Sequence, residues 1–149
     1  MLFSKPKRVV KRILIVEDEP LTAFDNETML GEAGYTIVGT IDAYDKAMEM
    51  LDTGKIDLIL SDVRLASQQT GIDLARAAKA RGIPTLFATG HPYPDAGTVA
   101  VGCLMKPYSD RQLKAAIESV DRHLQGESVK PPKGLQLFTP DGGEPTGRH

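Results

Sequence analysis

Between residues 12 and 125 short apolar runs alternate with amphipathic stretches, and no other feature of this chain restricts its fold as much. Such alternation is the pattern of βαβ units, in which parallel strands are joined by helical crossovers. Ile13-Leu14-Ile15-Val16 reads as a first strand, broken by the acidic turn Glu17-Asp18-Glu19-Pro20. A helix over residues 21–32 follows, with Pro20 accepted at its first turn and Gly31 and Gly34 as its stop. Residues 35–41 read as a second strand. Residues 43–51 read as a second helix with Ala47, Met50 and Leu51 inward, stopped by Thr53-Gly54. Leu58-Ile59-Leu60 is a continuous apolar run, which suits a strand buried on both faces of a parallel sheet, and it ends on Ser61-Asp62.

After a polar loop over residues 66–71, a third helix is expected over 72–80, closed by Gly82. Residues 83–88 and 99–105 read as the fourth and fifth strands. Residues 108–125 form the last helix, with Leu113, Ala116, Ile117, Val120 and Leu124 on one stripe and Ser109 as N-cap. Between strands four and five, residues 91–98 hold two prolines and a glycine, so a mobile loop or frayed turn is expected there in place of a helix.

The ends of the chain look different. Residues 1–11 read as a basic, solvated arm, since five of the eighteen basic residues fall within the first twelve. Residues 12–126 would be the folded domain. Residues 127–149 hold four prolines and four glycines and read as a disordered tail, with Leu135-Gln136-Leu137-Phe138 as an isolated apolar patch. Beyond the first twelve residues the chain carries a net −7, which argues against broad nucleic-acid binding. No apolar run is long enough to span a bilayer and the basic start lacks the features of a secretory signal, so a cytoplasmic protein without membrane contact is expected. The single cysteine, Cys103, excludes an internal disulfide and reads as a small buried apolar residue.

In an open α/β sheet ligands bind beyond the carboxyl ends of the strands. Strand one finishes at Glu17 and Asp18, strand three at Asp62, strand four at Thr89, and strand five at Lys106-Pro107. Singly, each has an ordinary reading: acids before a helix, a strand-end threonine, a solvated lysine. Together they form one rim. Three crowded carboxylates repel one another unless a cation sits among them, and Mg²⁺ suits carboxylates, waters and a phosphate. A nucleophilic carboxylate, a metal, a lysine and a hydrogen-bonding threonine suffice for phosphoryl transfer.

Ile13-Leu14-Ile15-Val16-Glu17-Asp18-Glu19-Pro20, Leu60-Ser61-Asp62, Thr89 and Lys106-Pro107 resemble the receiver (CheY-like) domain of two-component response regulators, over roughly residues 11–125. The resemblance implies a flavodoxin-like (βα)5 fold with a five-stranded parallel sheet of order 2-1-3-4-5. It implies that Asp62 accepts a phosphoryl group from a histidine kinase or phosphotransfer protein. Glu17 and Asp18 match the acidic pair that holds Mg²⁺ with Asp62, and Arg64 would lend its backbone carbonyl. Thr89 and Lys106 would engage the phosphoryl group. The domain would signal by protein contact, to a downstream regulator among others, or serve as a phosphate relay or sink. Beyond its own phosphotransfer and dephosphorylation it would catalyse nothing.

Three departures stand out. Many receivers carry an aromatic switch residue three positions before the lysine; here that position is Cys103, so another group must report phosphorylation. Phe87-Ala88-Thr89-Gly90 matches the Phe-Ala-Thr-Gly signature of the atypical FAT GUY subfamily, in which the fourth helix is poorly formed; that subfamily points to stress-response signalling of the alphaproteobacterial type. Gly90 belongs to that switch motif. Arg64-Leu65-Ala66 replaces the common Met-Pro, placing Arg64 where it could tune the lifetime of the phosphorylated form.

Other readings fail at named residues. An aspartate-nucleophile phosphatase of the haloacid dehalogenase kind would need an acid where Arg64 stands. A dinucleotide-binding domain would need a glycine-rich turn where Glu17-Asp18-Glu19-Pro20 stands. A degenerate receiver acting as a phosphorylation-independent scaffold is the remaining alternative. Little sequence follows the last helix, so a single-domain regulator is expected.

Overall fold

The computed structural model of the chain describes residues 7–64, 71–91 and 95–139. Strands β1 (Arg12–Val16), β2 (Thr36–Ile41), β3 (Leu58–Asp62), β4 (Thr85–Thr89) and β5 (Gly102–Met105) run parallel in the order 2-1-3-4-5. Helices α1 (Pro20–Glu32), α2 (Tyr44–Thr53), α3 (Gly71–Ala80) and α4 (Asp110–Leu124) cover its two faces. Between β4 and β5 the described residues form only a 3₁₀ turn, Ala96–Thr98. Much of the polar loop expected over 66–71, and the two prolines of 91–98, lie outside the described residues.

Alternation along each strand sends side chains to opposite faces and builds the core as separate clusters. Ile13, Ile15, Leu58, Leu60, Leu86 and Leu104 face Leu30 of α1 and Leu113, Ile117 and Val120 of α4. On the other face Leu14, Val16 and Ile59 meet Ala47 and Leu51 of α2 and Leu74 and Ala78 of α3. A further cluster on that side joins Phe87 and Cys103 to Ile72, Ala75, Ala96 and Val99. α4 starts where expected, since Ser109 and Gln112 form a reciprocal capping box. Leu124, expected on its buried stripe, is instead 37% exposed at the helix end.

Residues 7–11 and 127–139 depart from the sequence reading, while residues 1–6 of the expected arm and 140–149 of the expected tail lie outside the described residues. The sheet has a sixth strand, β6 (Leu135–Leu137), antiparallel to β5 and drawn from the stretch expected to be a disordered tail. The open edge of β5 offers unpaired backbone groups, and a short strand with Leu135 and Leu137 on one side satisfies them while burying both leucines. The described part of the basic arm is also fixed. Asp121 accepts the amides of Val9 and Val10, Asp57 accepts those of Lys11 and Arg12, and the Arg8 guanidinium lies 4.6 Å from the centroid of the Tyr35 ring. No helix among the described residues is long and apolar enough to cross a membrane.

Candidate functional site

Parallel strands deliver their carboxyl ends to one rim, and the central strand order places β1, β3, β4 and β5 side by side there. Glu17 and Asp18 follow β1, Asp62 ends β3, Thr89 ends β4, and Lys106 follows β5. Glu17, Asp18 and Asp62 each present a carboxylate oxygen within 4.8 Å of the others. Lys106 Nζ donates to Glu17 Oε1 and to Asp62 Oδ1, both at 2.9 Å. Four of the expected residues thus meet as one charged cluster.

The backbone fixes the acidic turn. Glu17 Oε2 accepts from the Glu19 amide at 3.1 Å, and Glu19 Oε1 accepts from the amides of Leu21 and Thr22, capping α1. The site acids are therefore tied to the first turn of a helix. Pro20 at the start of that helix gives up an amide that would have lacked a partner in any case.

Burial pushes the Asp62 carboxyl up to about 7, the hydrogen bond with Glu17 adds to the rise, and Lys106 opposes it. On Glu17 burial also acts upward, but hydrogen bonds from Asp62, Lys106 and the Glu19 amide outweigh it and hold the group below its ordinary value. Burial would lower Lys106, yet its bonds to Asp62 and Glu17 leave it raised and charged. Below neutral pH a proton on Asp62 and the charge of Lys106 thus relieve the crowding of the three carboxyl groups. A hard divalent cation fits the same oxygen donors and would take the place of that proton.

Thr89 is buried, and its hydroxyl is engaged locally: Oγ1 donates to the His91 carbonyl at 2.9 Å and accepts from the His91 amide at 3.2 Å. The Thr89 carbonyl accepts from the Lys106 amide at 2.8 Å, which joins the ends of β4 and β5. Gly90 is exposed next to it. Arg64 is exposed just past β3 and makes no hydrogen bond or ion pair with other described residues. Cys103 is not at the rim. It is buried beside Phe87, and burial pushes its thiol up to about 11, so it behaves as an apolar filler.

Two contributions escaped the sequence reading. Gly71 begins α3 directly against the Asp62 and Val63 backbone and donates its amide to the Val63 carbonyl; a Cβ there would collide with the Asp62 carbonyl. In sequence it marks only the end of a polar loop, and its one signal is a glycine at a helix start, where a capping side chain is commoner. Asn26, buried on α1 between Ala23 and Leu30, accepts from the Tyr108 hydroxyl at 3.1 Å and anchors the residue two past Lys106. A polar residue on an apolar stripe was its signal.

The comparisons with known proteins agree with this geometry. The profile of the response regulator receiver domain matches residues 13–118. The transcriptional regulatory protein PdtaR of Mycobacterium tuberculosis is 37% identical over 118 residues, covering 74% of this chain and 56% of that protein. The chain thus spans little more than half the length of that relative. The chemotaxis protein CheY of Pseudomonas aeruginosa is 30% identical over 77% of this chain and 99% of its own length. A variant of the anti-anti-sigma factor PhyR from Bartonella quintana superposes with a TM-score of 0.65 at 27% identity, over 82% of this chain and 52% of that one.

Proposed function

The chain belongs to the response regulator receiver family, and on that premise we propose that Asp62 accepts a phosphoryl group from a histidine kinase or phosphotransfer protein. The observation that carries this reading is Asp62 at the end of β3, 2.9 Å from Lys106 and within the carboxylate cluster of Glu17 and Asp18. An Asp62 carboxylate oxygen attacks the phosphorus of a phosphohistidine, the P–N bond breaks, and the imidazole leaves with a proton. Glu17, Asp18 and Asp62 would hold Mg²⁺ with the Arg64 backbone carbonyl, and the ion would neutralise charge on the phosphoryl oxygens.

The chain's own residues divide the remaining work. Lys106 Nζ already points a donor at Asp62 and would meet a phosphoryl oxygen there. Thr89 lies one residue beyond the partner of Asp62 in the β3–β4 ladder and would turn its hydroxyl to the same group. Leu21 and Phe24 stand 73% and 65% exposed on α1 beside the acidic turn, an apolar contact suited to a donor protein. The output is a protein contact or a phosphate relay. Similarity to PhyR, described as an anti-anti-sigma factor, and the Phe87-Ala88-Thr89-Gly90 sequence support a place in cytoplasmic stress-response signalling.

The test is intact mass after incubation with acetyl phosphate and Mg²⁺. An adduct that requires both Asp62 and metal, absent from Asp62→Ala and from an EDTA control, is the expected result. No adduct from acetyl phosphate or from any histidine kinase would favour the scaffold reading.

A further inference from the structure

Cys103 cannot serve as an aromatic switch, yet an aromatic side chain does reach its cluster: Phe138, from the segment just beyond β6, 9% exposed and packed with Phe87, Ala96, Val99, Ala100 and Cys103. The segment is clipped to β5 at both ends. The Met105 amide donates to the Gly134 carbonyl, and the Phe138 amide donates to the Val101 carbonyl, each at 2.8 Å. Met105 is the neighbour of Lys106, so the strap begins one residue from the charged cluster.

The β5 flank is shaped to receive a strand. A Cβ at Gly102 would stand 2.5 Å from the Gln136 carbonyl oxygen, so only glycine lets the second backbone come this close. Leu135 and Leu137 enter the main core while Phe138 turns to the opposite face. The occupant that fits is therefore an extended segment reading apolar, polar, apolar, aromatic. At three paired residues β6 is a short strand, and short edge pairings open at low cost.

A link to the phosphoacceptor runs through Thr89. Its single hydroxyl proton is given to the His91 carbonyl. A phosphoryl oxygen on Asp62 that took this proton would leave the His91 carbonyl without its donor, and His91 precedes in sequence Ala96 and Val99, against which Phe138 packs.

We propose that the β5 flank is a strand-accepting interaction surface, held in the resting molecule by residues 134–138, and that phosphorylation of Asp62 loosens this strap so that an extended segment of a partner, with the same order of side chains, replaces it. This rests on Asp62 being the phosphoacceptor.

The test is amide hydrogen exchange on the full chain, resting and after acetyl phosphate with Mg²⁺, with the adduct confirmed by intact mass. Exchange across residues 134–138 rises about tenfold in the adduct, the scale of a usual coupling between sites, while β1 is unchanged. A complete adduct with unchanged or slower exchange at 134–138 overturns the proposal. If no adduct forms from acetyl phosphate or from any histidine kinase, the phosphoacceptor reading fails, and Thr89→Val decides the coupling by itself: it removes the His91 clasp without any phosphoryl group. Faster strap exchange in that variant supports the coupling, and unchanged exchange overturns it. A labelled peptide of residues 132–139 is the probe for the surface; it binds the adduct about tenfold tighter than the resting chain, and equal binding to both overturns the strand-accepting role.

Discussion

Lys106 Nζ and Asp62 Oδ1 stand 2.9 Å apart at the rim of the sheet, with the lysine side chain 26% and the aspartate 14% exposed. Because the same ammonium also holds Glu17, it is the one cation described at this rim that keeps two acids together without metal. Lys106→Gln removes that charge and lets the Asp62 carboxyl rise further. Formation of the acetyl phosphate adduct should slow roughly 10²-fold, the usual cost of losing one donor aimed at developing charge. Without metal, near neutral pH, the variant should lose about 1–3 kcal/mol, less than for a fully buried pair because the site is partly solvated. Mass spectrometry against time and thermal melts in EDTA check the two effects.

The proton on Asp62 sets a pH dependence whose sign is fixed by the direction of its shift. Its carboxyl titrates near 7 in the folded protein against an ordinary 3.8, so the protonated form favours folding. That stabilisation is complete below about pH 4 and is lost as pH rises through 7. Asp62→Asn keeps the shape and never charges. In EDTA at about pH 8 it should melt above the wild type by about 2 kcal/mol, some 4–8 °C, with the gap narrowing toward pH 4. A gap independent of pH would show that Asp62 is not the group responsible.

Cation and proton compete for the same oxygens. Mg²⁺ should therefore raise the melting temperature strongly at about pH 8 and weakly at about pH 5.5, by about 2.7 kcal/mol at the higher pH when free Mg²⁺ is about a hundred times its dissociation constant. Asp18→Asn should remove most of that response, because Asp18 belongs to the cluster yet makes no bond to Lys106. A melting response equal at both pH values would place the cation elsewhere.

What the sequence showed and what it hid have one physical origin. Each central strand is an apolar run that stops on a polar residue, so Glu17, Asp18, Asp62, Thr89 and Lys106 could be placed on one rim from local pattern alone. β6 could not. Its three residues sit among prolines and glycines, and their burial comes from the open edge of β5, a tertiary partner that composition does not reveal. Asp57 and Asp121 look like surface charges in sequence, whereas each accepts two backbone amides from residues 9–12 and turns a basic arm into fixed structure. The Thr89 clasp on His91 was hidden for a related reason, since a hydroxyl's partner depends on a turn that sequence leaves open.

Asp121 gives the clearest stability prediction away from the site. It is 4% exposed, its Oδ2 accepts from the Val10 amide at 2.9 Å and the Val9 amide at 3.1 Å, and Gln125 Nε2 donates to its Oδ1 at 2.6 Å. Asp121→Ala leaves the Val10 amide without its acceptor beside a fully buried side chain. The expected cost is about 1–3 kcal/mol, or a fall of several degrees in melting temperature. Because Val9 and Val10 precede β1 and the carboxylates follow it, the sheet separates this anchor from the rim, and the rate of adduct formation at a temperature well below the melt should be unchanged. A variant that melts like the wild type would mean that water replaces the carboxylate at no cost, and that the Asp57 bonds, the Arg8–Tyr35 contact and Val10 packing suffice to hold the described part of the arm.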